Sequence, residues 1–270
     1  MAHLEQILVY PVKSLDCTPV EAATIREHGG LEWDRRYAIV DEDGNYVNGK
    51  RERQIHGLRA EYDLERETIT IWEHATGDSF SFHLEVDRDN FGSWLTCYFG
   101  YDVEVVRADE GGFPDDTDAS GPTVISTGTL EAVASWFEGI DTTEMRRRLR
   151  PNLEISGVEP FWEDRLYDQP GTVVPFEIGS STINGVNPCQ RCVVPTRDPD
   201  TGAQTDSFQN RFVERREATL PEWANPAWFD HYFRLMVNTR VPETVWGNRL
   251  VTGESITAGE PKPDSAPTTS

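Results

Sequence analysis

The most informative part of the chain lies between residues 187 and 202, where it reads Asn187-Pro-Cys-Gln-Arg-Cys-Val-Val-Pro-Thr-Arg-Asp-Pro-Asp-Thr-Gly202. A thiolate is a soft ligand that suits transition metals, and the arginine between the two thiols can make forked hydrogen bonds to phosphate or carboxylate. The combination indicates a loop for an anionic metal cofactor, with Cys189 or Cys192 as metal ligand. Pro199 and Gly202 predict a tight turn that holds this loop in place.

A CxxC pair also has other common meanings: a redox dithiol, half of a zinc site, or two buried small hydrophobic side chains. A structural zinc site usually takes four ligands, and the remaining cysteines, Cys17 and Cys97, do not form a second pair. A redox dithiol normally precedes a helix, which the prolines and glycine after Cys192 oppose. The pattern therefore disfavours zinc and dithiol exchange, while a buried pair stays open.

Strand signals dominate the first hundred residues, at 4–10, 20–26, 37–40, 56–64 and 68–72, with hairpin-type turns at 41–44 and 74–77. Residues 87–99 have apolar side chains at helical spacing, which predicts an amphipathic helix. We interpret four of these side chains as core: Phe91, Trp94, Leu95 and Tyr98.

An Asp-, Gly- and Pro-rich segment at 108–121 predicts a linker or long surface loop. Beyond it, a helix is predicted at 127–139, and strands are predicted at 122–125, 173–178, 181–186, 232–237 and 249–256. The strand at 181–186 leads into the CxxC loop.

Four motifs in this order resemble the MOSC domain family, specifically members with an N-terminal MOSC β-barrel half such as the mitochondrial amidoxime-reducing component. They are Tyr10-Pro-Val-Lys-Ser14, Gly30-Leu-Glu-Trp-Asp-Arg-Arg-Tyr37, Arg150-Pro-Asn-Leu-Glu-Ile-Ser-Gly157, and Pro188-Cys-Gln-Arg-Cys192 with Asp198-Pro-Asp-Thr-Gly202. The resemblance implies an α+β fold that is mainly β. It would comprise an N-terminal antiparallel β-barrel-like domain at 1–108, a MOSC β-barrel domain with flanking helices at 109–260, and a tail at 261–270 that composition predicts to be disordered.

The resemblance also implies a molybdenum cofactor, a pyranopterin whose dithiolene binds molybdenum. Cys192 matches the position of the protein's sulfur ligand and would be the catalytic residue. The other implied cofactor contacts are Lys13, Ser14 and Arg35 at the pterin and phosphate end, Ser120 in a pterin-contacting loop, and Arg150, Asn152 and Arg191 around the cofactor. We expect Arg35 to face the cofactor and Arg36 to face away, because alternate residues of a strand point to opposite sides.

The activity implied is that of an oxidoreductase that removes an oxygen atom from an N-hydroxylated or related small-molecule substrate. The sequence has no ferredoxin-type cysteine spacing, so we expect a separate redox protein to donate electrons. The alternative is a non-catalytic carrier of the cofactor, or a sulfur-relay module with a persulfide on Cys189 or Cys192. A thiol relay would not need Lys13 and Arg35 on a second domain, which favours the enzyme.

The chain has a formal net charge of −22, which disfavours nucleic acid or an anionic membrane as a partner. Only three of its 25 basic residues are lysines: Lys13, Lys50 and Lys262. Many acids with few lysines resemble the cytosolic proteins of salt-loving organisms. We find no signal sequence and no run of about 18 apolar residues, so we expect a cytoplasmic protein.

Overall fold

The structure, a computed structural model, describes residues 1–108 and 110–264. The strands of its first half are β1 (His3–Val9), β2 (Thr18–Val20), β3 (Ala22–Thr24), β4 (Tyr37–Asp41), β5 (Leu58–Asp63), β6 (Thr68–Glu73), β7 (Ser79–His83) and β8 (Val103–Arg107). Those of its second half are β9 (Val124–Ser126), β10 (Leu153–Ser156), β11 (Thr172–Ile178), β12 (Ser181–Gln190), β13 (Arg234–Arg240), β14 (Arg249–Val251), β15 (Ile256–Ala258) and β16 (Lys262–Pro263). The α-helices are α1 (Arg88–Phe99), α2 (Thr127–Ala134), α3 (Thr142–Leu149) and α4 (Phe208–Ala218).

The largest sheet combines strands from both halves of the chain, in the order β15-β11-β12-β13-β9-β10-β1-β2, with β16 beside β11. Its neighbours are antiparallel except for β9 and β10, which are parallel. A second connection is the pairing of β3 with β14. Strands from the two sides of the predicted boundary after Ala108 therefore pair with each other in two sheets.

The first half also has strands of its own, the β4–β8 pair and the antiparallel β5-β6-β7 sheet. Helix α1 packs on them through the buried Phe91 and Leu95, while Trp94 and Tyr98 lie partly buried against the same core. The interpretation of these four side chains as core is confirmed. The helix ends at Gly100, whose φ of 78° is one that L side chains rarely adopt.

The fold is the expected mixed α+β fold, in which strands outnumber α-helices. The described strands form four sheets, and the nine-stranded one runs open from β15 to β2 instead of closing into a barrel. None of the described helices is long and apolar enough to cross a membrane.

Several predicted elements are shorter in the structure or divided into two. The strand predicted at 20–26 is interrupted at Glu21, because β2 pairs with β1 whereas β3 pairs with β14. The strand predicted at 249–256 likewise divides into β14 and β15, which join different sheets. Helix α2 ends before residue 139: the Ser135 hydroxyl donates to the carbonyl of Ala132 (2.6 Å) at this end, a side-chain bond that competes with helix continuation.

The tail predicted to be disordered begins with structured residues. Lys262 and Pro263 pair with Val173 and Thr172 of β11, and the Asp264 carboxylate accepts from Arg240 (2.8 Å). Residues 265–270 lie outside the described part of the chain. The prediction from composition missed a strand of two residues because the partners that stabilise it lie far away in sequence.

Candidate functional site

A cavity of about 610 Å³ is lined by residues from both halves of the chain. This volume lies in the range typical of sites for small molecules and cofactors. All eight residues expected to contact a cofactor line it: Lys13, Ser14, Arg35, Ser120, Arg150, Asn152, Arg191 and Cys192. The fold therefore gathers the four sequence motifs around one space.

Lys13 and Arg35 share a carboxylate partner, Asp115, in the segment predicted as a linker. The buried Lys13 ammonium donates to Oδ1 of Asp115 (2.7 Å) and to the carbonyl of Phe113 (2.9 Å), and Nε of Arg35 lies 3.8 Å from Oδ2 of Asp115. Partial desolvation alone would raise the pKa of Asp115, but Arg35 and Lys13 hold it well below its usual range. Burial lowers the pKa of Lys13, although Asp115 opposes this shift. These contacts form a compact cluster of opposite charges.

Arg35 faces the cavity, and Arg36 does not line it, as expected, but the expected reason is wrong. Arg35 lies in a turn before β4, not on a strand, and has a φ of 51°. The guanidinium of Arg36 stacks on the ring of Trp33 (4.7 Å to the centroid). The opposite directions of the two side chains therefore come from a left-handed turn and not from strand alternation.

Tyr10 lies between two of the predicted cations. Its ring centroid is 5.2 Å from Cζ of Arg35 and 4.2 Å from Cζ of Arg150. The phenol donates to the carbonyl of Pro151 (3.0 Å), and Arg150 itself donates to the carbonyl of Leu15 (2.8 Å). Burial raises the pKa of Tyr10, so the neutral ring holds both guanidinium groups without cancelling their charge.

Asn152 and Ser120 are bonded to the backbone of other elements. The amide of the buried Asn152 donates to the carbonyl of Leu8 (3.0 Å), and its Oδ1 accepts from the amide of Thr123 (3.3 Å) and from Arg35 (3.4 Å). The Ser120 hydroxyl donates to the carbonyl of His28 (2.7 Å). Both residues therefore fix the shape of the cavity wall.

The two cysteines of the CxxC pair have different environments. Cys189 lies buried near the end of β12, donates to Oδ1 of Asn238, and has a pKa that burial raises to about 12. Cys192 is half-buried in the following loop, and its Sγ accepts from the amide of Val194 (3.5 Å). Cys189 therefore stays a thiol in the protein interior, whereas Cys192 offers a sulfur atom to the cavity.

Arg191, between them, has one nitrogen without a partner. Its Nη2 donates to the carbonyl of Leu149 (2.8 Å) and its Nη1 to Sδ of Met236 (3.5 Å), while its buried Nε has no hydrogen-bond partner among the described residues. A buried donor without a partner is costly to leave unbonded, so Nε is available to an acceptor in the cavity.

The turn predicted after Cys192 is present. Oδ1 of Asp198 accepts from the amides of Asp200 (3.0 Å) and Thr201 (2.8 Å), and the amide of Gly202 donates to the carbonyl of Asp198 (2.9 Å). Asp200 in turn accepts from Arg147 of α3 (2.7 Å). Side-chain bonds thus stabilise the turn internally and connect it to α3.

Backbone strain is concentrated around the cavity. Of the nine described residues other than glycine with positive φ, four line it: Ser14 (75°), Arg35 (51°), Arg150 (56°) and Met236 (73°). Residues in this conformation are uncommon and cluster where function requires an unusual backbone.

Several residues that line the cavity were not predicted from the sequence: Tyr10, Asp16, Cys17, Asp34, Lys50, His56, Asp115 and Asn238. Tyr10 and Asp34 belong to the quoted motifs, and Lys50 is one of only three lysines, so signals for these existed. Burial lowers the pKa of His56, which favours a neutral imidazole in the wall. Nothing in the sequence distinguished Asp115 from the other acids of its segment.

The donor set fits a cofactor that brings most of its own metal ligands. No group of three or more His, Cys, Asp or Glu side chains placed to hold a metal ion occurs in residues 1–108 and 110–264. Cys192 offers one soft sulfur donor, and the unpaired Nε of Arg191 and the cluster around Lys13 and Arg35 offer donors for anionic groups.

Two family models match the chain. The MOSC N-terminal beta barrel domain matches residues 1–110, and the MOSC domain matches residues 123–259. The chain therefore belongs to the MOSC domain family.

The curated relatives are distant. The chain is 25% identical to mitochondrial amidoxime-reducing component 1 of Xenopus laevis, over 75% of this chain and 67% of that protein. It is 23% identical to the human protein of the same name, over 74% and 67% respectively. It is also 23% identical to the molybdenum cofactor sulfurase of Oryza sativa subsp. japonica, over 74% of this chain but only 29% of the sulfurase.

Proposed function

We propose that this protein is a molybdenum-cofactor-dependent oxidoreductase that removes an oxygen atom from N-hydroxylated or related small molecules. The observation that carries the proposal is the placement of the half-buried Cys192 sulfur in the same cavity as Lys13, Arg35, Arg150 and Arg191. The similarity to the amidoxime-reducing components supports it.

Each residue would have a distinct role toward the cofactor. Cys192 would supply the protein's sulfur ligand. Lys13, Ser14 and Arg35 would bind the pterin and phosphate end, Ser120 would lie in a pterin-contacting loop, and Arg150, Asn152 and Arg191 would close around the cofactor. When bound, the cofactor supplies a redox-active metal that takes up an oxygen atom and exchanges two electrons. The protein would orient it and hold the substrate beside the Cys192 loop.

The reaction proposed converts an N-hydroxyl group to N–H and water, which consumes two electrons and two protons. Protons come from solvent, and a separate redox protein supplies the electrons.

A second candidate is a carrier of the molybdenum cofactor or a sulfur-relay module without turnover. The similarity to the cofactor sulfurase favours it, together with the accessible sulfur of Cys192, on which a persulfide would form. The cations around Tyr10 disfavour the sulfur relay, because persulfide transfer needs no phosphate site, and a turnover assay separates the enzyme from the carrier.

The deciding experiment combines metal analysis with a turnover assay. Protein from a host that makes molybdenum cofactor should contain about one molybdenum and one pterin per chain and should reduce benzamidoxime with an artificial electron donor. Cofactor without turnover would indicate the carrier. Stoichiometric zinc without a fluorescent pterin oxidation product would refute both the enzyme and the cofactor carrier.

A further inference from the structure

We propose that Asp115 is a built-in competitor for the cofactor phosphate: its carboxylate holds Lys13 and Arg35 until a phosphate-bearing ligand displaces it. This inference rests on the proposed function, because it takes Lys13 and Arg35 to be the phosphate ligands. It adds to the roles proposed above a residue that would control how tightly the cofactor binds.

The contacts of Asp115 are those expected of a phosphate mimic. One carboxylate oxygen accepts from the Lys13 ammonium (2.7 Å), and the other lies 3.8 Å from Nε of Arg35. Carboxylate and phosphate oxygens compete for the same donors, since both are anionic acceptors. The two cations are thus engaged by an anion of the protein itself.

The Lys13 and Asp115 side chains differ in their exposure to solvent. The Lys13 side chain is 7% exposed, whereas that of Asp115 is 59% exposed. A buried ammonium cannot leave its site, but an exposed carboxylate can turn toward water at small cost because solvent restores its hydration. Asp115 is therefore the member of the pair that moves.

Release of the Asp115 carboxylate would leave two cations for a phosphate. Lys13 and Arg35 are the groups that this carboxylate contacts, and Lys50 lines the same part of the cavity. A phosphate monoester carries about −1.5 to −2 charges and is matched by more than one cation. Lys13 and Arg35 would therefore pair with the phosphate once the Asp115 carboxylate turns toward water.

The backbone on both sides of Asp115 is fixed, so the exchange needs only a change of side-chain rotamer. The amide of Phe113 donates to the carbonyl of Arg35 (2.8 Å), and a Cβ on Gly112 would lie 2.9 Å from the carbonyl oxygen of Asp34. On the other side, Asp116 accepts from the amide of Ala119 (3.1 Å) and from Asn238 (3.2 Å). Rotamer changes of exposed side chains are fast, so Asp115 would set affinity without slowing access.

The test is Asp115→Asn in the full-length protein, produced in a host that cannot make molybdenum cofactor and titrated with inorganic phosphate by calorimetry. Asparagine keeps the shape of the side chain and removes its charge. We expect phosphate to bind the variant about ten-fold more tightly than the wild type. Lys13→Ala in the Asp115→Asn background should abolish this gain.

The matched control is Glu110→Gln. It removes the same charge from the same segment, but Glu110 pairs with His28 (3.6 Å) and does not line the cavity. Its phosphate affinity should equal that of the wild type, which separates competition at Lys13 from a general charge effect.

Production of the same variants in a cofactor-competent host completes the test, with pterin content after extended dialysis as the readout. Asp115→Asn should retain more pterin than the wild type and Glu110→Gln. Equal or weaker phosphate binding by Asp115→Asn would overturn the competitor role, even if pterin binds. Absence of both pterin and phosphate binding in every form would overturn the proposed function as well.

Discussion

Nη1 of Arg59 lies 3.3 Å from Oδ1 of Asp200, so that strand β5 of the N-terminal half is bonded to the turn that follows Cys192. The same guanidinium lies 3.2 Å from Asp16, and Asp200 also accepts from Arg147. This chain of ion pairs links the first half, the Cys192 loop and α3 beside the cavity. It gives the loop a support that does not depend on a ligand.

Replacement of Asp200 by Asn should loosen this support. Two guanidinium groups would lose their shared carboxylate, and because all three side chains are partly exposed we expect a loss of only about 1 kcal/mol in the free energy of unfolding. Denaturant titration measures it. Asp206→Asn, at an exposed position nearby in sequence, is the control, and equal stability of the two variants would contradict the prediction.

The two cysteines should respond differently to serine. Cys192→Ser should abolish turnover while pterin still binds, because a hard oxygen replaces the soft sulfur donor and the other contacts remain. Cys189→Ser should be much milder, since the Cys189 thiol is buried, protonated and bonded to Asn238. Activity and pterin content measured side by side distinguish them. Equal loss in both folded variants would indicate a dithiol mechanism instead.

Arg35→Ala should purify with depleted molybdenum yet remain folded. A charge-assisted contact is worth about 1.5 to 3 kcal/mol, so cofactor retention should fall roughly ten-fold to a hundred-fold. Arg36→Ala is the control, because the Arg36 guanidinium stacks on Trp33 outside the cavity. Metal analysis after extended dialysis checks the pair. Full molybdenum content in Arg35→Ala, or depletion confined to Arg36→Ala, would show the assignment to be wrong.

Glu163 should make stability depend on pH. Burial, followed by the charge of neighbouring Asp164, raises the pKa of Glu163 to about 7. The folded protein therefore keeps a proton that the unfolded chain releases above its ordinary pKa of 4.5, and stability falls as pH rises from about 4.5 to 7. Glu163→Gln cannot lose this proton, so its stability relative to wild type should rise by roughly 1 to 3 kcal/mol across that window.

Denaturation midpoints measured between pH 5 and pH 8 check the Glu163 prediction. Glu222→Gln, at an exposed position, should follow the wild type at every pH. Parallel curves for Glu163→Gln and wild type would mean that Glu163 is already ionised in the folded protein.

The local parts of the site could be predicted from the sequence, and the family and the α+β class were confirmed. Lys13, Arg35 and Cys192 each belong to short motifs, and residue type with spacing was enough to select them. Their roles toward a cofactor stay predictions. The turn at Asp198 was predictable because Pro and Gly restrict the backbone locally.

Contacts between distant residues could not be predicted in the same way. Lys13 and Asp115 are 102 residues apart, and no local pattern reports such a pairing. The buried pair of Arg216 and Asp164 is a similar case, because charged residues are almost never fully buried unless paired, and the partner is known only from the fold. The direction of Arg35 was predicted for the wrong reason, since a left-handed turn at a residue other than glycine has no strong sequence signal.

The position of β1 in the large sheet has a consequence for biosynthesis. Strand β1 ends at Val9, whereas one of its two neighbours, β10, begins only at Leu153. At about 5–20 residues per second, β1 would wait roughly 7 to 30 s on the ribosome with one edge unpaired. The first half therefore cannot finish folding before the second is synthesised, and an isolated fragment of residues 1–108 would keep an exposed strand edge, which favours aggregation.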